Sequence, residues 1–210
     1  MKGLLLKDLY ITLKYCRTHL ILCVLFVVFA YTQEESSTFF LFYPCMLMGM
    51  LPVTLLAHDE RSGWETYSAT LPYRRSHIVS GKYLFALIAQ LICAILVSAA
   101  QAVRQMQAQT LSWQGLLGMM AAMLLVSLLS TAVILPCVFK MGVEKGRIAY
   151  YIVIVAVFGL GGALMAQIPP QDLMATLSEW WLPWALAGLA AAVFGASWLL
   201  SIVFYQKREL

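Results

Sequence analysis

Five stretches of this chain run for twenty or more residues without one Asp, Glu, Lys or Arg: 36–57, 83–103, a core within 115–139, 148–167 and 184–205. The hydrocarbon core of a bilayer is about 30 Å thick, so a helix crosses it with about 20 mostly apolar residues. A sixth stretch, 19–33, is shorter, but Arg17 bounds it on one side and Glu34 and Glu35 on the other. Composition excludes a soluble globule: 62% of residues are hydrophobic and 11% charged, where soluble domains carry about 25% charged residues. The sequence specifies an all-α integral membrane protein.

Six spans sort the charges. Lys2, Lys7, Lys14, Arg17, Arg61, Arg74, Arg75, Lys82, Lys140, Lys145, Arg147, Lys207 and Arg208 fall on one side, and Arg104 alone on the other. Basic loops stay on the cytoplasmic face, so both termini are expected there. Five or seven spans would scatter these charges over both faces. The expectation is one transmembrane domain, 1–210, with spans near 19–33, 36–57, 83–103, 115–139, 148–167 and 184–205 and a cytoplasmic region 58–82. The net charge of +4 then follows from membrane topology and requires no nucleic-acid partner. The first apolar run comes late, after four basic residues, and "FVVFAYTQEE" has no small-residue cleavage pattern, so no cleavable signal peptide is expected. Cys16, Cys23, Cys45, Cys93 and Cys137 form no CxxC and no outer pair, which points to packing residues, not a disulfide framework or metal site.

Residues 1–18 read as an amphipathic helix. Leu5, Leu9, Leu13, Cys16 and Leu20 recur at helical spacing, with Lys7, Lys14 and Thr18 opposite. It either lies in the cytoplasmic interface and bends at about Arg17–His19, or extends the first span. Pro44 and Pro52 interrupt the second span, where Pro can loosen a helix. Ala187, Ala191 and Gly195, with Gly188, Ala192 and Ala196 beside them, make a small-residue face in the last span. Such a face suits close helix packing, within the chain or across a dimer seam, and Gly159, Gly161 and Gly162 offer the same in the fifth span. Trp180, Trp181 and Trp184 fit an aromatic belt, while Pro169–Pro170 opens either an outer loop or a short re-entrant helix.

These spans contain no Asp, Glu, Lys or Arg, which weighs against a proton-coupled carrier. His19, His58 and His77 all sit at the cytoplasmic boundary, without HExxH or GxSxG. No GxxxxGK[ST] loop is present; the nearest text, "GLGGAL", is inside a span. The expectation is a membrane part with no catalytic residue, cofactor or metal of its own.

The long polar passage is "HDERSGWETYSATLPYRRSHIVSGK", residues 58–82. Ser62 and Glu65 have capping-box spacing, so a short helix is expected over 64–71, stopped at Pro72. It places Trp64, Tyr67 and Leu71 on one face at i, i+3 and i+7, rimmed by Glu60, Arg61, Arg74 and Arg75. Such a face has the make-up of a docking surface; an interfacial helix among lipid headgroups would look similar.

The same passage resembles the loop between the second and third spans of small ABC-2 type permeases, matching at Glu60, Gly63, Trp64, Glu65, Tyr67, Thr70, Leu71, Pro72, Arg75, Ile78, Val79, Lys82 and Tyr83. The layout of a basic amphipathic start, six spans and short outer loops is similar too, most of all to the branch with the phenol-soluble modulin exporters. The resemblance implies the membrane subunit of a bacterial ABC exporter in the cell membrane. It would pair with a second permease subunit, identical or not, and bind a cytoplasmic ABC ATPase subunit that holds ATP and Mg. The region 60–82 would carry the coupling helix, with Trp64, Tyr67 and Leu71 as contacts, Glu65 as cap and Arg75 as electrostatic partner. "KMGVEKGR", 140–147, is a second inner loop that could reach the ATPase. Apolar span walls and the analogy point to amphipathic peptide cargo. The alternatives are a secondary carrier and a membrane anchor or assembly protein.

Overall fold

The computed structural model describes residues 2–32, 37–68, 70, 74–109, 112–149, 151–152, 155 and 182–207. Over them the only regular structure is helical: α1 (Lys2–Tyr15), α2 (Arg17–Thr32), α3 (Ser37–Arg61), α4 (Trp64–Ser68), α5 (Arg75–Gln107), α6 (Trp113–Met141) and α7 (Leu182–Lys207), with residues 143–149 helical as well. Among the described residues three helical segments are long and apolar enough to cross a membrane: Arg75–Gln107, Trp113–Met141 and Gly188–Gln206. Counting α1 and α2 as one broken span adds a fourth. The expected second span lies within α3, which runs through Pro44 and Pro52 without a break. Most of the expected fifth span, its glycines, the Pro169–Pro170 segment, Trp180 and Trp181 lie outside the described residues.

The bend expected at Arg17–His19 falls at Cys16, where α1 and α2 meet at 70°. Neither Pro nor Gly marks it. The Thr12 hydroxyl donates back to Asp8 O at 2.8 Å, a contact that loosens helices. Arg17 Nε donates to Leu13 O at 3.0 Å, satisfying a carbonyl near the end of α1. The side of α1 against the bundle is Leu4, Asp8 and Thr12, continued by Cys16; Leu9 and Leu13, on the expected apolar stripe, are exposed.

Two apolar clusters hold the bundle. One joins α3, α5, α6 and α7 through Val53, Val79, Tyr83, Leu135, Phe139 and Phe194. The other joins α2, α3 and α5 through Cys23, Cys45, Leu51, Leu55, Phe85 and Cys93. In α7 the buried face is Ala190, Phe194, Ser197, Ser201 and Tyr205. The small-residue face is not the one packed on the described helices: Gly188, Ala191, Ala192 and Ala196 are exposed, and a Cβ added at Gly188 or Gly195 would meet nothing within 4 Å. Aromatic Phe194 and Trp198 pack on Tyr83 in the seam with α5.

The ends of the helices gather the polar loops. Val143 N–H donates to the Glu60 carboxylate at 3.2 Å, and Arg75 reaches the Tyr205 and Gln206 carbonyls at 3.4 and 3.2 Å. These contacts bring the loop after α3, the loop after α6 and the last turn of α7 to one end of the bundle.

Candidate functional site

The turn leaving α3 sets the site. Ser62 N–H donates to His58 O at 3.0 Å and Gly63 N–H to Glu60 O at 3.3 Å, closing the helix. Gly63 sits at φ +67° with open space around it, so glycine is required for the backbone conformation and not for room. The Ser62 hydroxyl donates to Asp59 O at 3.2 Å. It therefore also serves the end of α3. Tyr67 N–H bonds Gly63 O at 3.2 Å. The Glu65 side chain, Leu71 and Pro72 lie outside the described residues.

The two aromatic rings of α4 have different surroundings. Tyr67 is 59% exposed, whereas Trp64 is half-buried. Lys7 Nζ lies 4.1 Å from the centre of the Trp64 ring, a cation–π contact that ties α4 to α1. The two rings sit 5.5 Å apart, so the exposed Tyr67 stands on a fixed base.

Beneath this contact lies a group that sequence reasoning did not assemble. Lys82 Nζ is 2.7 Å from Asp8 Oδ1 and 2.7 Å from Asp59 Oδ2; Lys7 Nζ is 2.7 Å from Asp59 Oδ1 and 3.5 Å from Asp8 Oδ1. Asp8, Asp59 and Lys82 are all buried. Two cations and two anions alternate, so the group carries no net formal charge while joining α1, α3 and α5. Burial, followed by the nearby Lys82 charge, lowers the Lys7 pKa below the usual lysine range, while Asp59 and Asp8 oppose the shift. Asp8 was missed because it sits between Lys7 and Leu9 and reads as part of a polar face. Its signal was the inward row Leu4, Asp8, Thr12, Cys16 at four-residue spacing.

Glu60 and Arg75, expected at the rim of a docking face, each hold a neighbouring element. Glu60 accepts from the first N–H of the helical stretch 143–149. Gly146 of that stretch lies against α6 so closely that a Cβ there would sit 2.7 Å from Val138 Cα. The inner loop 140–147 is thereby docked against the end of α3, next to α4.

Farther along, the polar contacts are neutral. Ser197 Oγ donates to Ala132 O at 2.6 Å, and Tyr83 OH lies 2.7 Å from both Ser197 Oγ and Ser201 Oγ. The ring of Tyr83 stacks on Trp198, whose indole N–H donates to Ser80 Oγ at 3.0 Å. Gln90 Nε2 donates to Thr131 Oγ1, which lies 3.2 Å from Gly49 O. On the other side of α5, an apolar groove of about 500 Å³ opens between α1, α2, α3 and α5, lined by Leu13, Val24, Val28, Met48, Ile92 and Leu96 among others. Among the described residues no group of His, Cys, Asp or Glu is arranged to hold a metal.

Long apolar helices whose polar loops converge at one end define an integral membrane protein. The sequence profile described as ABC-2 family transporter protein matches residues 3–206. The chain belongs to the ABC-2 family of transporter proteins, as a membrane component and not the catalyst of an ABC transporter. No curated protein and no solved structure matches it.

Proposed function

We propose that the chain is the six-span permease subunit of an ATP-driven exporter in the bacterial cell membrane, with both termini in the cytoplasm. It pairs with a second permease subunit, identical or not, and docks through α4 and its flanks onto a cytoplasmic ABC ATPase that holds ATP and Mg. Glu60, Gly63, Trp64, Glu65, Tyr67, Leu71, Pro72 and Arg75 make up the docking region. Tyr67 touches the ATPase, and Trp64 passes displacement through Lys7 to the buried ion group and so to α3 and α5. Leu71 is a further contact, Pro72 ends the helix and Glu65 caps it.

The observation that carries this reading is the pairing of the exposed Tyr67 with the anchored Trp64. A docking helix must offer an exposed contact and have a rigid connection behind it; a helix resting among headgroups needs no connection. Cargo is inferred from wall chemistry: the apolar groove suits amphipathic molecules, and the resemblance read from the sequence to the branch with the phenol-soluble modulin exporters favours peptides. The test is co-purification from native membranes with wild type and Tyr67→Ala. Tyr67 is the side chain to remove, because Trp64→Ala also strips Lys7 of its ring. The reading requires an ATP-binding-cassette subunit with wild type and a loss of about tenfold or more in Tyr67→Ala, the scale of an interface hot spot. Absence of any such subunit from folded wild type would remove it.

A further inference from the structure

We propose that a cavity at the α1–α2 elbow binds the phosphate of an anionic phospholipid headgroup. The cavity has a volume of about 330 Å³ and is lined by Tyr15, Thr54, His58, Arg61 and Arg147 among others. At ~30 Å³ per water, that is room for about ten waters, ample for a phosphate and part of its glycerol. Two guanidinium groups meet here, and no carboxylate lines the cavity.

The nearby acids are committed elsewhere. Asp59 binds Lys7 and Lys82, and Glu60 accepts from Val143 N–H. Among the described residues neither Arg61 nor Arg147 forms an ion pair with an acidic side chain. Glu144, three residues before Arg147, is exposed and does not line the cavity. His58 Nδ1 is buried without a hydrogen-bond partner among the described residues, and its ring is held 4.4 Å from Tyr15. Arg147 is partly buried, where a cation without a counter-charge is costly, and the exposed Arg61 lines the same cavity. Arginine forks match phosphate oxygens bidentately, so a phosphate supplies the missing charge.

The surface next to Arg147 argues for a lipid as the source. Ile148, Tyr151, Ile152 and Val155 follow at i, i+3, i+4 and i+7, and all four are exposed, Val155 to 71%. The basic cavity thus sits where a lipid-facing apolar stripe begins, the pairing of phosphate and chain that a phospholipid presents.

The test uses the purified, delipidated full chain in neutral detergent, with binding followed by native mass spectrometry. Probes are phosphatidylglycerol, phosphatidylcholine and inorganic phosphate. Phosphatidylglycerol is expected to bind at least about tenfold more tightly than phosphatidylcholine, and Arg61→Gln with Arg147→Gln to remove about tenfold, the effect of one lost charge-assisted hydrogen bond. Arg147→Lys, which keeps the charge but loses the fork, should keep only part of the binding, and Arg104→Gln, in the last turn of α5, all of it. Equal binding of the two lipids overturns the proposal, and so does a double variant that folds and still selects phosphatidylglycerol. Displacement of phosphatidylglycerol by an equal concentration of inorganic phosphate would make this a free-phosphate site and also overturn it. The wild-type comparison and the competition need no variant, so a failure of the double variant to fold leaves both decisive.

Discussion

From Lys82 to Gln90 a single helix, α5, uses two kinds of buried polar contact. Lys82 lies between Asp8 and Asp59 in a closed group of charges; Gln90 bonds Thr131 without any charge. The first contact joins α1, α3 and α5 at the end where the loops gather, and the second joins α5 to α6 farther along. Buried ion pairs stabilise little compared with apolar packing, yet breaking one is costly because the remaining charge is stranded. A neutral bond between helices is worth less, about 0.6 kcal/mol on average in membranes. The charged end therefore resists being pulled apart piecemeal, while the neutral seam can slip at modest cost. A part that carries displacement from α4 needs the first property, and spans that shift against one another need the second.

The comparison breaks most visibly at Lys82. Lys82→Ala leaves Asp8 and Asp59 facing each other with only Lys7 between them, and should cost about 3–5 kcal/mol. Unfolding in mixed micelles measures this, and a cost below about 1 kcal/mol would mean that water or another cation already screens the pair. Gly146→Ala comes next. Its Cβ would meet backbone atoms of Val138 at 2.7 and 2.9 Å, so the inner loop must shift, at about 1–3 kcal/mol. Protease cleavage within 140–149 should rise in that variant and remain at wild-type level elsewhere.

On the neutral side the effects are smaller. Tyr83→Phe removes a hydroxyl shared by Ser197 and Ser201 and should cost about 1–2 kcal/mol, read as a lowered melting temperature. Gln90→Leu should cost about 0.6 kcal/mol or less, partly offset because Gln90 Oε1 is buried without a partner among the described residues. If Gln90→Leu proved as damaging as Lys82→Ala, the contrast between the two regions would not hold.

Much of this was legible in the residues. The charge-free intervals marked the long helices, because hydropathy is read from composition over about 20 positions. The 58–82 passage was visible as polar text between apolar runs; that Gly63 ends α3 came only from its backbone conformation. What failed was partner choice. Ser62 had the spacing of a cap, and its hydroxyl also donates to the Asp59 carbonyl, a partner that spacing does not reveal. Leu9 and Leu13 made the more obvious stripe in α1, yet Asp8 and Thr12 face the bundle, because Lys82 from α5 offers Asp8 a counter-charge from a distant part of the chain. The same lack of distant information made Glu60 and Arg75 read as surface charges, when one holds the stretch 143–149 and the other the end of α7. In α7 the face that meets Tyr83 carries Ser197 and Ser201, which the regular pattern of small residues did not single out.

The central claim is that α4 is an anchored docking helix, and photo-crosslinking from position 67 in native membranes tests it most directly. A crosslinking amino acid replaces Tyr67, with Met106, exposed in the last turn of α5, as the control position. The account predicts an adduct with an ATP-binding-cassette subunit from position 67 and none from position 106. Adducts with lipid alone from position 67, in a chain that folds and inserts normally, would contradict it.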